Sequence, residues 1–411
     1  MFVITKVFVI TIVIYMFTTH PPTCAPVYHV AADWTSMASS TDGTKIVAVT
    51  TTARGTIWAS SDSGVSWKSR ASGLPGDMYF KDVTSSANGA KLALVGYGAG
   101  YVGYVYTSNN NGTSWSNSDA SSLLTNVSRN VYQISTRTDW HISLMSIKSS
   151  ADGTYLALAV EGRGIYTSNN SGANWTLTSA GPLDWSCIAM SSDGTKLVAG
   201  VTAGALYTSI NGGASWTVRK SGFYGGGPTY TWISQVESSQ TAIRPSTIGR
   251  ILLPDVSFYW SSLAISDNGA RIVAGTEDTI YVWISTNSGA NWQACQPWPT
   301  YYFGWANVSP LTGLRSVRMS PDGIKIAFLS HQYGLYTDMT YIGGDVLGTQ
   351  MLGLVTIKSF VPNWYIYGKD GNGFTAMTSS SKGTNFAIAV NVGGIYTSFD
   401  NGTSWARGYS T

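Results

Sequence analysis

The chain is poor in charge, in cysteine and in helical periodicity, and each shortage closes off a class of function. Charged residues make up 11% of its 411 positions, against about a quarter in an ordinary soluble domain. The 24 basic and 21 acidic residues leave a net charge of +3, and no run of Lys and Arg occurs. Nucleic-acid binding needs a basic stripe that displaces counterions from phosphates, so no nucleic-acid partner is expected. Cys24, Cys187 and Cys295 are too few and too scattered for a disulfide framework. No close pair of metal-ligating residues is present, so no metal is expected. No phosphate loop and no Ser–His–Asp signature occurs, and no cofactor is expected. No segment sustains a 3.6-residue apolar period, which argues against long helices.

Long apolar runs are also scarce. The one that stands out is Val7 to Phe17, behind Met1-Phe-Val-Ile-Thr-Lys6. It has the length of a signal-peptide core and is short for a membrane-spanning helix. Small residues at Thr23-Cys24-Ala25 offer a cleavage site, with Pro26 directly after it. Residues 1–26 therefore read as a signal peptide or a signal anchor, and 27–411 as a single domain. The expectation is a secreted or surface-displayed monomer that meets a membrane only through this leader. Six N-x-S/T triplets, at Asn111, Asn126, Asn169, Asn174, Asn307 and Asn401, fit export. Asn-rich turns also produce such triplets by chance.

What the chain has in quantity is Gly (45), Tyr (24) and Trp (16). That is the composition of short strands, tight turns and half-buried aromatics. These residues recur in register. A Ser stands three residues before a turn Gly seven times: Ser40/Gly43, Ser86/Gly89, Ser150/Gly153, Ser191/Gly194, Ser266/Gly269, Ser320/Gly323 and Ser380/Gly383. Six residues before each Ser lies a large apolar residue: Trp34, Phe80, Leu144, Trp185, Trp260, Leu314 or Phe374. A second motif, S-x-[DN]-x-G-x-[SN]-W, follows in six of the seven units. Its acid or amide and its Trp are Asp62/Trp67, Asn110/Trp115, Asn170/Trp175, Asn211/Trp216, Asn287/Trp292 and Asp400/Trp405. The sixth unit keeps Leu335-Tyr-Thr337 but lacks the Gly and Trp.

Each unit reads as four strands. Asp-Gly or Asn-Gly between two alternating runs is a strong hairpin signal. Four short strands repeated at this period mean blades of a propeller. The predicted fold is therefore all-β: a seven-bladed β-propeller of four-stranded antiparallel blades with box turns, starting near 34, 80, 144, 185, 260, 314 and 374. In the box, the side-chain oxygen accepts turn N–H groups, the Gly supplies a positive φ and the Trp buries area. Asn can accept the same bonds as Asp, so the box is structural and needs no charge. Its six tryptophans are expected to be mostly buried. Cys187 falls on a first strand near the axis and Cys295 on a fourth strand at the rim, too far apart to bond.

Boxes of this form in a propeller resemble the Asp-box, or BNR-repeat, superfamily, over residues from about 33 to 409. Sialidases, xyloglucanases, sortilin-type receptors and photosystem II assembly factors belong to it. The motif is specific for the fold and nearly silent on activity. A sialidase-like site implies an arginine cluster and an Arg-Ile-Pro motif before the first blade. None lies between Val27 and Trp34, and Ile243-Arg244-Pro245 is only a partial echo deep in the chain. Xyloglucanase relatives use two propellers, and this chain has room for one. The assembly factors rely on an arginine patch, and Arg is not clustered here.

Spacing locates the variable face. From turn Gly to box Trp the interval stays near that of Gly153 to Trp175, whereas from box Trp to the next turn Gly it stretches to that of Trp216 to Gly269. Insertions thus gather in the connections between blades, about 117–143, 218–258, 294–312 and 338–372. With antiparallel strands these connections share a face with the second-to-third loops, and the boxes share the other. Loops on a rigid scaffold carry function. The connections hold many aromatics, of which Trp140, Trp232, Trp305 and Trp364 are candidate contact rings, with Arg163 and Glu161 as polar partners nearer the axis. The ligand class read from this face is a glycan or a protein. A hydrolase on the same face would need two facing acids, for which Asp139 with Glu161 or Asp184 are candidates.

Overall fold

The computed structural model describes residues 32–51, 55–71, 73–98, 103–118, 144–219, 223–225, 251–253, 258–277, 282–295, 314–330, 334–340, 358–360, 373–390 and 394–410. The leader, Asp139, Trp140, Trp232, Trp305 and Trp364 lie outside them. The described residues form seven sheets, antiparallel but for one added parallel strand in each of two of them, and no helix. Their first strands are Trp34–Ser39, Tyr79–Ser85, Leu144–Ser149, Trp185–Met190, Trp260–Ile265, Leu314–Met319 and Phe374–Ser379. Each packs on the next, and the last packs on the first, so the ring closes around an axis. The seven starts coincide with the sequence register to within one residue.

The fourth blade shows the unit: Trp185–Met190, Leu197–Val201, Leu206–Ser209 and Thr217–Arg219 in consecutive order from axis to rim. Second strands such as Ile46–Thr50 and Leu156–Val160 are buried at every position, because a neighbouring blade covers each side. The cores therefore lie between blades. Val47, Val49 and Ile57 of the first blade pack with Phe80, Val83, Leu92 and Leu94 of the second.

The repeated Ser and its turn join blades as well as strands. Within the turn, Ser40 Oγ donates to Asp42 Oδ1 at 2.6 Å and accepts the Lys45 N–H at 3.0 Å. The residue after each Ser then bonds across to the next blade. Thr41 N–H donates to Ala87 O, Ala87 to Ala151, Ala151 to Ser192, Ser192 to Asp267, Asp267 to Pro321, and Ser381 back to Thr41. The sixth-to-seventh link is missing because Pro321 has no N–H.

The boxes form as the sequence implies. Ser60 Oγ donates to Asp62 Oδ1 at 2.7 Å, and Ser66 N–H donates to the same oxygen at 2.9 Å. Asn110 accepts the Ser114 N–H at 2.9 Å in the same way, so the amide does replace the acid. Where the acid remains, in Asp400, hydrogen bonds led by Ser404 push its pKa down to about 2.

The burial of the box tryptophans departs from the expectation. Trp67 and Trp292 are buried, but Trp115, Trp175, Trp216 and Trp405 are only half-buried. The cause is an extra strand. Tyr409–Ser410 pairs in parallel with Ser66–Ser69, over Trp67, and Phe223–Gly225 pairs in parallel with Trp292–Cys295. Both extra strands belong to the chain leaving the preceding blade, so each is a strap from one blade to the rim of the next. Elsewhere a lighter version recurs: the indole N–H of Trp115 donates to Arg70 O at 2.9 Å, and that of Trp175 to Ser118 Oγ at 2.7 Å.

Two connections differ from the sequence reading. Residues 218–258 contain the strap and its partner strand Ile251–Leu253. In the sixth blade the fourth strand is Lys358–Phe360, so the insertion 341–357 sits between third and fourth strands, where other blades carry the box. Insertion is therefore not confined to one face. Cys187 is a buried free thiol on its first strand, and Cys295 ends a rim strand, in line with the expected separation. Burial raises the Cys187 pKa to about 12, which removes it from thiolate chemistry near neutral pH.

The strap at Tyr409–Ser410 makes Gly408 sensitive. A Cβ there would run into the Trp67 indole and the Gly64 carbonyl. Gly408→Val is expected to cost about 1–3 kcal/mol by overpacking. The check is the melting temperature together with carboxypeptidase trimming, which should begin sooner in the variant.

Candidate functional site at the axial mouth

All seven first strands carry a bulge near their start, one residue in for six of them and two for Tyr79–Ser85, where the pairing register shifts. Bulges bend a strand and re-aim a side chain. The bulged residues Thr35, Lys81, Ser186, Ser261, Arg315 and Thr375, with Met145 at the same backbone position, thus stand around the axis on the face where the chain enters each blade. Thr35 Oγ1 returns its hydrogen bonds to Val49 O and Phe80 O. Lys81 and Arg315 are the cations of the ring.

Lys81 lies over the Tyr97 ring, 5.6 Å from its centroid, and Tyr97 is stacked on Tyr79 at 4.9 Å. Burial lowers the Lys81 pKa, opposed by the charge of Glu161 from the next blade. Arg315 Nη1 sits 3.1 Å from Glu277 Oε1, with both side chains about half exposed. The Gly162 N–H donates to Leu183 O at 2.9 Å, which holds the loop of Glu161 and Arg163 beside the entry to the fourth blade, where Asp184 is exposed. The structure thus gathers three of the expected residues, Glu161, Arg163 and Asp184, at one part of the mouth.

One level below the mouth, Asp82 is buried and saturated. It accepts Ser36 Oγ at 2.6 Å, Ser146 Oγ at 2.8 Å, the Ile147 N–H at 2.9 Å and Lys148 Nζ at 2.6 Å. Burial pushes its pKa up, but the Lys148 charge and these hydrogen bonds prevail and hold it below the usual carboxylate range. Lower still lies Arg318. Lys81, Asp82, Lys148, Arg315 and Arg318 were not among the sequence candidates. Their signal is positional: each is a charge on a first strand, at a register where most other units carry an uncharged residue, chiefly Ser, Thr or Ala. Among the described residues no group of His, Cys, Asp and Glu is arranged to hold a metal ion.

No known family model and no curated protein matches the sequence. Solved structures do. YCF48 bound to D1 peptide superposes with a TM-score of 0.53 at 16% identity, covering 90% of this chain and 94% of that one. YCF48 from Cyanidioschyzon merolae gives 0.52 at 11%, over 92% and 98%. An ancestral GH74 enzyme gives 0.56 at 13%, over 93% of this chain and 46% of that one, so this chain spans about half of that enzyme. The likeness shows the fold, a β-propeller. The propeller shares that architecture with a peptide-binding protein and with a hydrolase, and the architecture alone does not choose between them.

Proposed function

We propose that the protein is a recognition propeller, secreted or surface-displayed, that holds a glycan or a protein partner at the axial mouth through Lys81, Tyr97, Glu161 and Arg163. The observation that carries this reading is the placement of Glu161. The strongest described candidate for a catalytic acid, Glu161, acts through its charge on Lys81 of the neighbouring blade, across the joint between the two blades. A carboxylate beside a cation and a stacked aromatic pair suits the reading of hydroxyls and N–H groups. YCF48 with its D1 peptide supports the use of such a propeller for a protein ligand. Trp140, Trp232, Trp305 and Trp364, which lie outside the described residues, are taken as further contact rings.

Glycan and peptide arrays probed with the purified protein test the proposal. The double variant Lys81→Met with Arg163→Gln is expected to weaken binding of the best ligand at least tenfold at an unchanged melting temperature. The quadruple Trp→Ala variant is expected to weaken it as well. Turnover of an arrayed polysaccharide that Glu161→Gln abolishes would replace this reading with a hydrolase.

A further inference from the structure

Arg318 stands on the first strand of the sixth blade, four residues after its start. At the same register the other blades present Ala38, Thr84, Lys148, Ala189, Ala264 and Thr378. Five of these seven side chains are small, so the channel is widest in side-chain terms where its two cations stand. Arg318 Nη1 donates to Val317 O at 3.0 Å, and Nη2 reaches Met37 O of the first blade at 3.4 Å, passing in front of the seventh blade. Both acceptors belong to the third register position after the strand start. Lys148 Nζ likewise donates to Ile147 O at that level, at 2.9 Å. The guanidinium is therefore inside the channel and not out on a face.

The charges at this level do not balance. Asp82 is the carboxylate within reach, and it is committed to Lys148, Ser36, Ser146 and the Ile147 N–H. The two described hydrogen bonds of Arg318 go to neutral carbonyls. A guanidinium has five N–H donors in a planar fork that matches a carboxylate or a small anion. Arg318 is partly buried and has no ion pair among the described residues; withholding a cation from water without a counter-charge is costly, and an anion in the channel would offset that cost.

We infer that the axial channel is an anion site, in which the Arg318 guanidinium binds a monovalent anion of carboxylate or halide size. The anion comes from solution as an inorganic ion or from a ligand at the mouth as a carboxylate. This inference is independent of the proposed recognition function, since an ion can occupy the channel whatever the mouth binds.

The test uses the purified protein, with bromide and acetate as probes and gluconate as a bulky control at equal ionic strength. In crystals grown with bromide, an anomalous peak is expected in contact with the Arg318 guanidinium and is expected to vanish in Arg318→Gln. In solution, bromide or acetate should raise the melting temperature by about 2 °C over gluconate, and Arg318→Gln should lose the rise. Arg318→Lys, which keeps the charge, should retain part of it and guards against a folding defect in Arg318→Gln. A rise with bromide alone assigns the site to inorganic ions; a rise with acetate as well admits the carboxylate of a ligand. No bromide peak at Arg318, or an equal rise in Arg318→Gln, overturns the site.

Discussion

Asp82→Ala is expected to destabilise the propeller by about 3 kcal/mol, the low end for breaking a buried ion pair. The low end applies because Lys148 keeps a quarter of its side chain in contact with solvent in the channel. The loss has two parts. Lys148 is left as a poorly compensated charge, and Ser36, Ser146 and the Ile147 N–H lose a shared acceptor that joins three blades. Denaturant melts of the wild type and the variant measure it, and a difference below about 1 kcal/mol would show that the network carries little. The pH dependence follows from the direction of the shift. The folded pKa of Asp82 lies below its ordinary value of 3.8. Its contribution is therefore fully present above that value and is lost as the pH falls through the folded pKa. Wild-type stability should drop below about pH 4, and Asp82→Asn should flatten that limb.

Trp292→Ala is expected to cost about 3–5 kcal/mol, the range for deleting a fully buried aromatic. Trp292 is 1% exposed, and its indole N–H is satisfied by Gly289 O at 3.0 Å, so the change opens a cavity and orphans a carbonyl. The same change at Trp216 should cost less. Trp216 packs on Trp185 at 6.4 Å between centroids but is only half-buried, with no strap across it. Parallel melts of the two variants check the order. Equal losses would mean that the straps add nothing to the burial of the box residue.

Much of the architecture was legible because it is repeated. The Ser-to-Gly interval and the apolar residue six positions earlier mark hairpins that recur in every blade, and a pattern seen seven times outweighs local ambiguity. The straps and the fourth strand of the sixth blade were not legible. Phe223–Gly225 and Lys358–Phe360 become strands because a neighbouring edge offers unpaired N–H and C=O groups, and nothing in three residues announces that. The half-burial of four box tryptophans has the same origin, since it depends on which rims a strap covers. Of the candidate site, Glu161, Arg163 and Asp184 were readable as charges on second-to-third loops or blade entries. Asp82, Lys148 and Arg318 were hidden because strand alternation alone treats a polar residue as facing water. In a propeller the inner strand faces a channel, and only alignment of all seven first strands exposes the odd charge in a row of small residues.

The missing link at Pro321 gives the ring a preferred place to part. Six joints are closed by backbone hydrogen bonds on the turn face, and the joint between sixth and seventh blades is not. Mechanical pulling or partial heating should therefore open the molecule like a bracelet whose clasp lies one blade away from the strap that joins the seventh blade to the first, swinging those two blades out together.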